Sequence, residues 1–277
     1  LHIIGIEERK ENNKTVIVRK AVERRDEASL LENTINQLDA EDCLRHINGR
    51  LYGNDYEERL FNVAMELCIT WMNRILFLKL LEAQMLKYHN GDAIYKFLSI
   101  TKIHDYDDLN TLFFQVLARD MGSRTHSIMR DFAYVPYLNS SLFEVTDLES
   151  KTIKINSLSQ RTVLPVLASS VLRNKKRNLQ VNALPTLQYL FAFLDAYNFA
   201  SEGSEEVQEE AKTLINASVL GLIFEKINGH KDGSVFTPGF ITMFMCREAI
   251  TKTVLQKFNG YYGWNCTTRI ELYNHID

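Results

Sequence analysis

A run of apolar residues spaced alternately by about three and four, Leu60, Ala64, Leu67, Trp71, Leu78, Leu81 and Met85, constrains this chain more than any other feature of its sequence. At 3.6 residues per turn these positions form one stripe, with Asn62, Glu66, Asn73 and Lys79 elsewhere on the wheel, so the spacing predicts a long amphipathic helix. Lys87, His89 and Gly91 supply the cations and the glycine that favour a stop. Such a stripe needs other helices to cover it. Asp92 is placed to cap a short helix through Phe97, and Asp107 or Asp108 to cap another carrying Leu112, Phe113, Val116 and Leu117. Helical patterning returns over Thr186–Tyr197, over Val207–Lys226 and after Pro238, with breaks at Ser201–Glu206 and Asn228–Gly233.

The fold expected is therefore mainly α: an irregular helical bundle with a small N-terminal β-hairpin and short strands in the middle loops. The hairpin comes from Ile3–Ile6 and Thr15–Val18 across a polar turn at Glu11–Lys14. Ala21–Leu38 mixes charged residues with Ala, Leu and Ile and reads as a solvent-exposed helix or connector. In the middle, Pro136, Pro165 and Pro185 act as breakers, and Thr152–Ile155 alternates as a short strand would. No repeat with a period near 34 residues marks a solenoid. Three regions follow: residues 1–45, hairpin and connector helix; 46–228, the helical body; 229–277, the opening of a further domain.

Several classes of function find no support in the residues. A net charge of −3 leaves nucleic-acid binding to a local patch rather than to the whole surface. The densest such patch is Arg173, Lys175, Lys176 and Arg177, four cations in five residues, suited to a DNA phosphate backbone, although in an acidic protein such a run is more often a solvated loop. Cys43 and His46 have a ligand-like spacing without a second pair, so no metal site is expected. Glu8-Arg9-Lys10 has the carboxylate-x-lysine half of a nuclease centre and lacks the upstream acid that would complete it, so it reads as a charged strand end. No nucleophile elbow or phosphate-binding glycine loop occurs, and no catalytic residue is assigned. Four scattered cysteines point to a reducing compartment, hence the cytoplasm, and no apolar stretch approaches the ~20 residues of a membrane span. The chain opens on Leu1 and runs to Asp277 without a polar tail, which reads as a piece of a larger protein.

Three stretches are more specific. Asn73-Arg74-Ile75-Leu76-Phe77-Leu78-Lys79-Leu80-Leu81-Glu82 is followed by Leu109–Leu117 and by Val135-Pro136-Tyr137-Leu138-Asn139-Ser140-Ser141-Leu142-Phe143-Glu144. Next comes Leu190-Phe191-Ala192-Phe193-Leu194-Asp195-Ala196-Tyr197-Asn198-Phe199, and then Leu220–Glu225 leading into Gly233-Ser234-Val235-Phe236-Thr237-Pro238. In this order, over roughly residues 60 to 250, they resemble Type IIG restriction-modification enzymes, which fuse an endonuclease to an adenine-specific DNA methyltransferase. Ser140 and Ser141 stand where the family pattern has paired glycines, and Phe236 where it has a tyrosine.

The resemblance implies that Phe236, Thr237 and Pro238 form the turn opening the methyltransferase domain and lining the methionine end of S-adenosylmethionine. The Thr237 hydroxyl would meet the amino-acid moiety, with Pro238 in the first turn of the next helix. It further implies double-stranded DNA as partner and a nuclease upstream. The glycine-bearing cofactor loop and the Asn-Pro-Pro-Tyr segment that grips a flipped adenine do not occur before Asp277, so this stretch would be the non-catalytic connector of the two activities. A subunit of a Type I restriction system and a free-standing helical protein-interaction module remain as alternatives.

Overall fold

The computed structural model describes residues 1–11, 14–156, 158–173, 178–199, 213–215, 237 and 239–276. Helices dominate it, and it divides into two compact units, Leu1–His230 and Lys231–Asp277.

The first unit opens with the hairpin, strands β1 (Ile6–Glu11) and β2 (Lys14–Arg19), antiparallel with Ile6 opposite Arg19 and Glu8 opposite Ile17. Ahead of it the chain turns at Gly5, whose φ of +98° lies in the left-handed region that favours glycine. This turn delivers the carbonyls of Ile3 and Ile4 to the N–H groups of Leu30 and Leu31 at 3.1 and 2.9 Å. Helix α1 (Leu30–Ala40) thus has its first donors satisfied by backbone, and the Ser29 side chain makes no cap bond.

The solvent-exposed connector expected over Ala21–Leu38 is corrected here. Leu30, Leu31, Ile35 and Leu38 of α1 are buried, and so are Glu32, Asn33 and Thr34. The charges that made the segment look exposed, Glu23 to Glu27, precede the helix. The one acid carried inside, Glu32, is neutralised by Arg19, whose Nε and Nη2 donate to its two oxygens at 2.8 and 2.6 Å. Asn33 exchanges two hydrogen bonds with the Ser159 backbone, its Nδ2 donating at 2.8 Å.

Helix α2 (Tyr56–Tyr88), 33 residues and roughly 50 Å long, is the pillar of the unit. Asp55 caps it by accepting from Glu58 N at 2.8 Å, and Glu57 and Glu58 complement its dipole. It ends in a Schellman motif: Gly91 N donates to Leu86 O at 2.7 Å and Asn90 N to Lys87 O at 3.4 Å. Asn90, at φ +52°, takes the left-handed position, one residue before the glycine. The amphipathic stripe is also wider than the spacing predicts. Val63, Met65, Ile69, Met72, Ile75 and Leu76 are buried as well, so α2 is enclosed on most sides, and Lys79 is buried with it.

Around this pillar lie short elements: a 3₁₀ turn, Ala93–Tyr95, capped by Asp92; α3 (Tyr106–Thr111); α4 (His126–Phe132); and α5 (Asp147–Lys151). The cap of α3 is Asp105, accepting from Asp108 N at 2.9 Å, and not Asp107 or Asp108, which sit in the first turn. From Leu112 to Leu117 the helix widens to a π-helix. Thr152–Ile155 forms no strand. Ile153 and Ile155 are buried as the alternation implies, without a partner strand to pair with.

Two residue pairs, β3 (Leu164–Pro165) and β4 (Ala183–Leu184), make the middle sheet, and α6 (Thr186–Asp195) follows. Strand β5 (Tyr197–Phe199) then pairs in parallel with β6 (Thr213–Ile215). Helix was expected at Tyr197 and over Thr213–Ile215; the remainder of Val207–Lys226 lies outside the described residues. In the second unit, α7 (Gly239–Tyr262) and α8 (Arg269–Ile276) are joined by a turn that Asn259 brackets, bonding both Cys266 N and Cys266 O. No helix among the described residues is long and apolar enough to cross a membrane.

Candidate functional site

The charged side chains of the Asn73–Glu82 run point inward, and two polar nodes form on α2. At the first, the Arg74 side chain is 1% exposed and spends its guanidinium on three acceptors. Nη1 and Nη2 form a fork with the Glu149 carboxylate at 2.5 and 2.9 Å, Nε donates to Leu142 O at 2.7 Å, and Nη2 also donates to Glu144 O at 2.9 Å. Phe113 and Phe114, successive residues of the π-helical turn, bring their rings within 5.7 and 4.9 Å of the guanidinium carbon. Phe143 packs against both Phe77 and Phe113. Burial alone would raise the Glu149 carboxyl, but the Arg74 guanidinium and the Thr146 N–H hold it below its ordinary value. Glu149 does a second job in the capping box of α5, where its carboxylate accepts from Thr146 N while Thr146 Oγ1 accepts from Glu149 N.

One turn further along α2, Lys79 Nζ donates to Glu82 Oε1 and to Asp195 Oδ1, both at 2.6 Å. Asp195 Oδ2 faces Lys96 at 2.8 Å, and Glu82 Oε2 accepts from Leu98 N at 2.6 Å. Burial pulls the Lys79 ammonium down, and its two carboxylates more than reverse this, so it stays charged. Burial likewise raises Asp195, and the two cations bring it below its ordinary value. Three segments meet at this node: α2, residues 96–98 after the Ala93–Tyr95 turn, and the end of α6.

Four of the stretches singled out in the sequence are brought together: Asn73–Glu82 bonds Val135–Glu144 through Arg74 and Leu190–Phe199 through Lys79, and Leu138 N donates to Leu117 O at 2.9 Å, while Leu220–Pro238 lies, Thr237 apart, outside the described residues. These hydrogen bonds brace against α2 segments that are distant in sequence. Glu149 is the residue that reading the sequence missed. Its signal was present in Thr146-Asp147-Leu148-Glu149, the spacing of a capping box.

The sites named from the sequence lie elsewhere. Phe236 and Pro238 fall outside the described residues; Thr237 is described and exposed. Lys175, Lys176 and Arg177 also fall outside them, while Arg173 is exposed, bridges to Leu179 and donates from Nε to Ser170 O at 3.1 Å. Cys43 is buried and His46 exposed, on one 3₁₀ turn, and among the described residues no group of three or more His, Cys, Asp or Glu side chains is placed to hold a metal ion. Glu8, Arg9 and Lys10 are consecutive residues of β1, and all three are exposed.

No curated protein and no solved structure matches the chain. Residues 1–215, from the hairpin through α2 and both polar nodes to β6, match the family described as a domain of unknown function, DUF7814, and the chain belongs to that family.

Proposed function

We propose that the chain is the helical connector of a cytoplasmic DNA restriction-modification enzyme. It would join an upstream nuclease to a downstream S-adenosylmethionine-dependent adenine methyltransferase, with double-stranded DNA as the shared partner. The observation that carries this reading is the convergence on α2 of the segments that resemble that enzyme class. Arg74 and Lys79 bond the Val135–Glu144 and Leu190–Phe199 stretches from one helix. A connector has to hold its core in fixed geometry, and the fully buried, multiply bonded Arg74 resists the small rearrangements that an apolar core tolerates.

Two residue-level roles belong to this reading. Thr237, with Phe236 and Pro238, would line the methionine end of the cofactor. Arg173, Lys175, Lys176 and Arg177 would meet the DNA backbone. The first is tested by S-adenosylmethionine titration of the full reading frame with Thr237→Ala: affinity at least tenfold weaker is expected, and unchanged affinity would remove Thr237 from the site. The second is tested by neutralising the four cations together, which should flatten the dependence of DNA affinity on salt by up to about four counterions. An unaltered slope returns the run to a solvated loop.

A further inference from the structure

The two nodes of α2 differ in what is left behind when a partner departs. If the Glu149 segment moves away, Arg74 keeps no counter-ion and is stranded in the core. Lys79 carries its own counter-ion: Glu82 lies three residues along the same helix, and its second oxygen stays on Leu98 N. Asp195 can leave without isolating a charge. Nor does Asp195 suit its position for local reasons, because it is the last residue of α6, where the helix dipole disfavours an anion. Two cations from other elements hold it there. The outer part of the bond reaches water, the Asp195 and Lys96 side chains being 31% and 44% exposed.

We infer that Asp195 is a releasable latch, gripped by Lys79 and Lys96, through which the α6–β5 junction undocks from α2 as a local unit while the α2 core stays folded. The closed state dominates because Leu190, Phe191, Leu194 and Phe199 are buried in the same hydrophobic core as the apolar residues of α2. Undocking frees β5 and the β6 strand paired with it. The inference rests on this geometry alone and stands or falls apart from the restriction-modification reading.

Hydrogen exchange of the whole chain, read by mass spectrometry at about 0.05 and 0.5 M salt, separates a latch from a static brace. Asp195→Asn should speed exchange over residues 190–199 about tenfold and leave residues 60–82 within about twofold of wild type. Lys96→Ala, a change at the surface that leaves the core intact, should give part of the same local effect. Raising salt should loosen residues 190–199 in the wild type and have no further effect in Asp195→Asn. Equal acceleration across α2 and α6, no change at 190–199 in either variant, or a wild type indifferent to salt would each overturn the latch.

Discussion

Arg74→Met is the most informative single perturbation of this fold. The substitution keeps an unbranched side chain of similar length between the Phe113 and Phe114 rings and removes every polar contact of the node. Three groups lose a partner: the Glu149 carboxylate, 5% exposed, and the carbonyls of Leu142 and Glu144. Breaking a buried pair from one side costs about 3–5 kcal/mol. Glu149 retains its bond from Thr146 N, which places the expected loss near the middle of that range, about 4 kcal/mol. For a unit of this size that lowers Tm by roughly 8–16 °C. The pH dependence sharpens the test. In the wild type the Glu149 carboxyl is held below its ordinary value, so its contribution is present above that value and is lost as pH falls through the folded pKa. In the variant the same carboxyl, buried without its cation, rises, and protonation relieves the penalty. The deficit should therefore be greatest at neutral pH and shrink toward the ordinary carboxylate range near pH 4. Thermal unfolding by circular dichroism between pH 4 and 8 measures both quantities. A Tm loss under about 3 °C at pH 7, or a deficit that widens with acid, would show that Arg74 is not the brace described.

Gly5→Ala should cost about 2–3 kcal/mol, because the residue sits at φ +98° and the added methyl meets the Ser29 side chain; a denaturation midpoint within error of wild type would contradict the close approach of the 1–5 turn to α1. Thiol reactivity should be graded: burial pushes the Cys68 thiol up to about 12, Cys43 and Cys266 are buried, and Cys246 is exposed on α7. A chromogenic disulfide reagent at pH 8 should therefore titrate one thiol rapidly in the native chain and four after unfolding, and rapid loss of Cys68 would exclude its place in the core.

How much of this was legible in advance depends on the range of the interactions involved. The three-and-four spacing determined α2, Lys87, His89 and Gly91 marked its stop, Asp92 had only to serve its own first turn, and the second β-rich run, Thr15–Val18, became a hairpin strand while the first, Ile3–Ile6, became mostly the turn ahead of its partner, Ile6–Glu11. Burial is a different kind of quantity. Whether Lys79, Arg74 and Glu32 face water or protein is set by counter-ions 116, 75 and 13 positions away, and Asn33 finds its backbone partner 126 positions along the chain. A charge in sequence therefore reads as surface until its partner is known. The same limit turned α1 from an apparent connector into core, and Ile153 and Ile155 from an apparent strand into two anchors without a ladder. Local periodicity determined by itself the long helix α2 and most of α6. Only the tertiary structure decided which charges lie inside and which stretches they join, because burying a charge depends on a partner that folding brings from far along the chain.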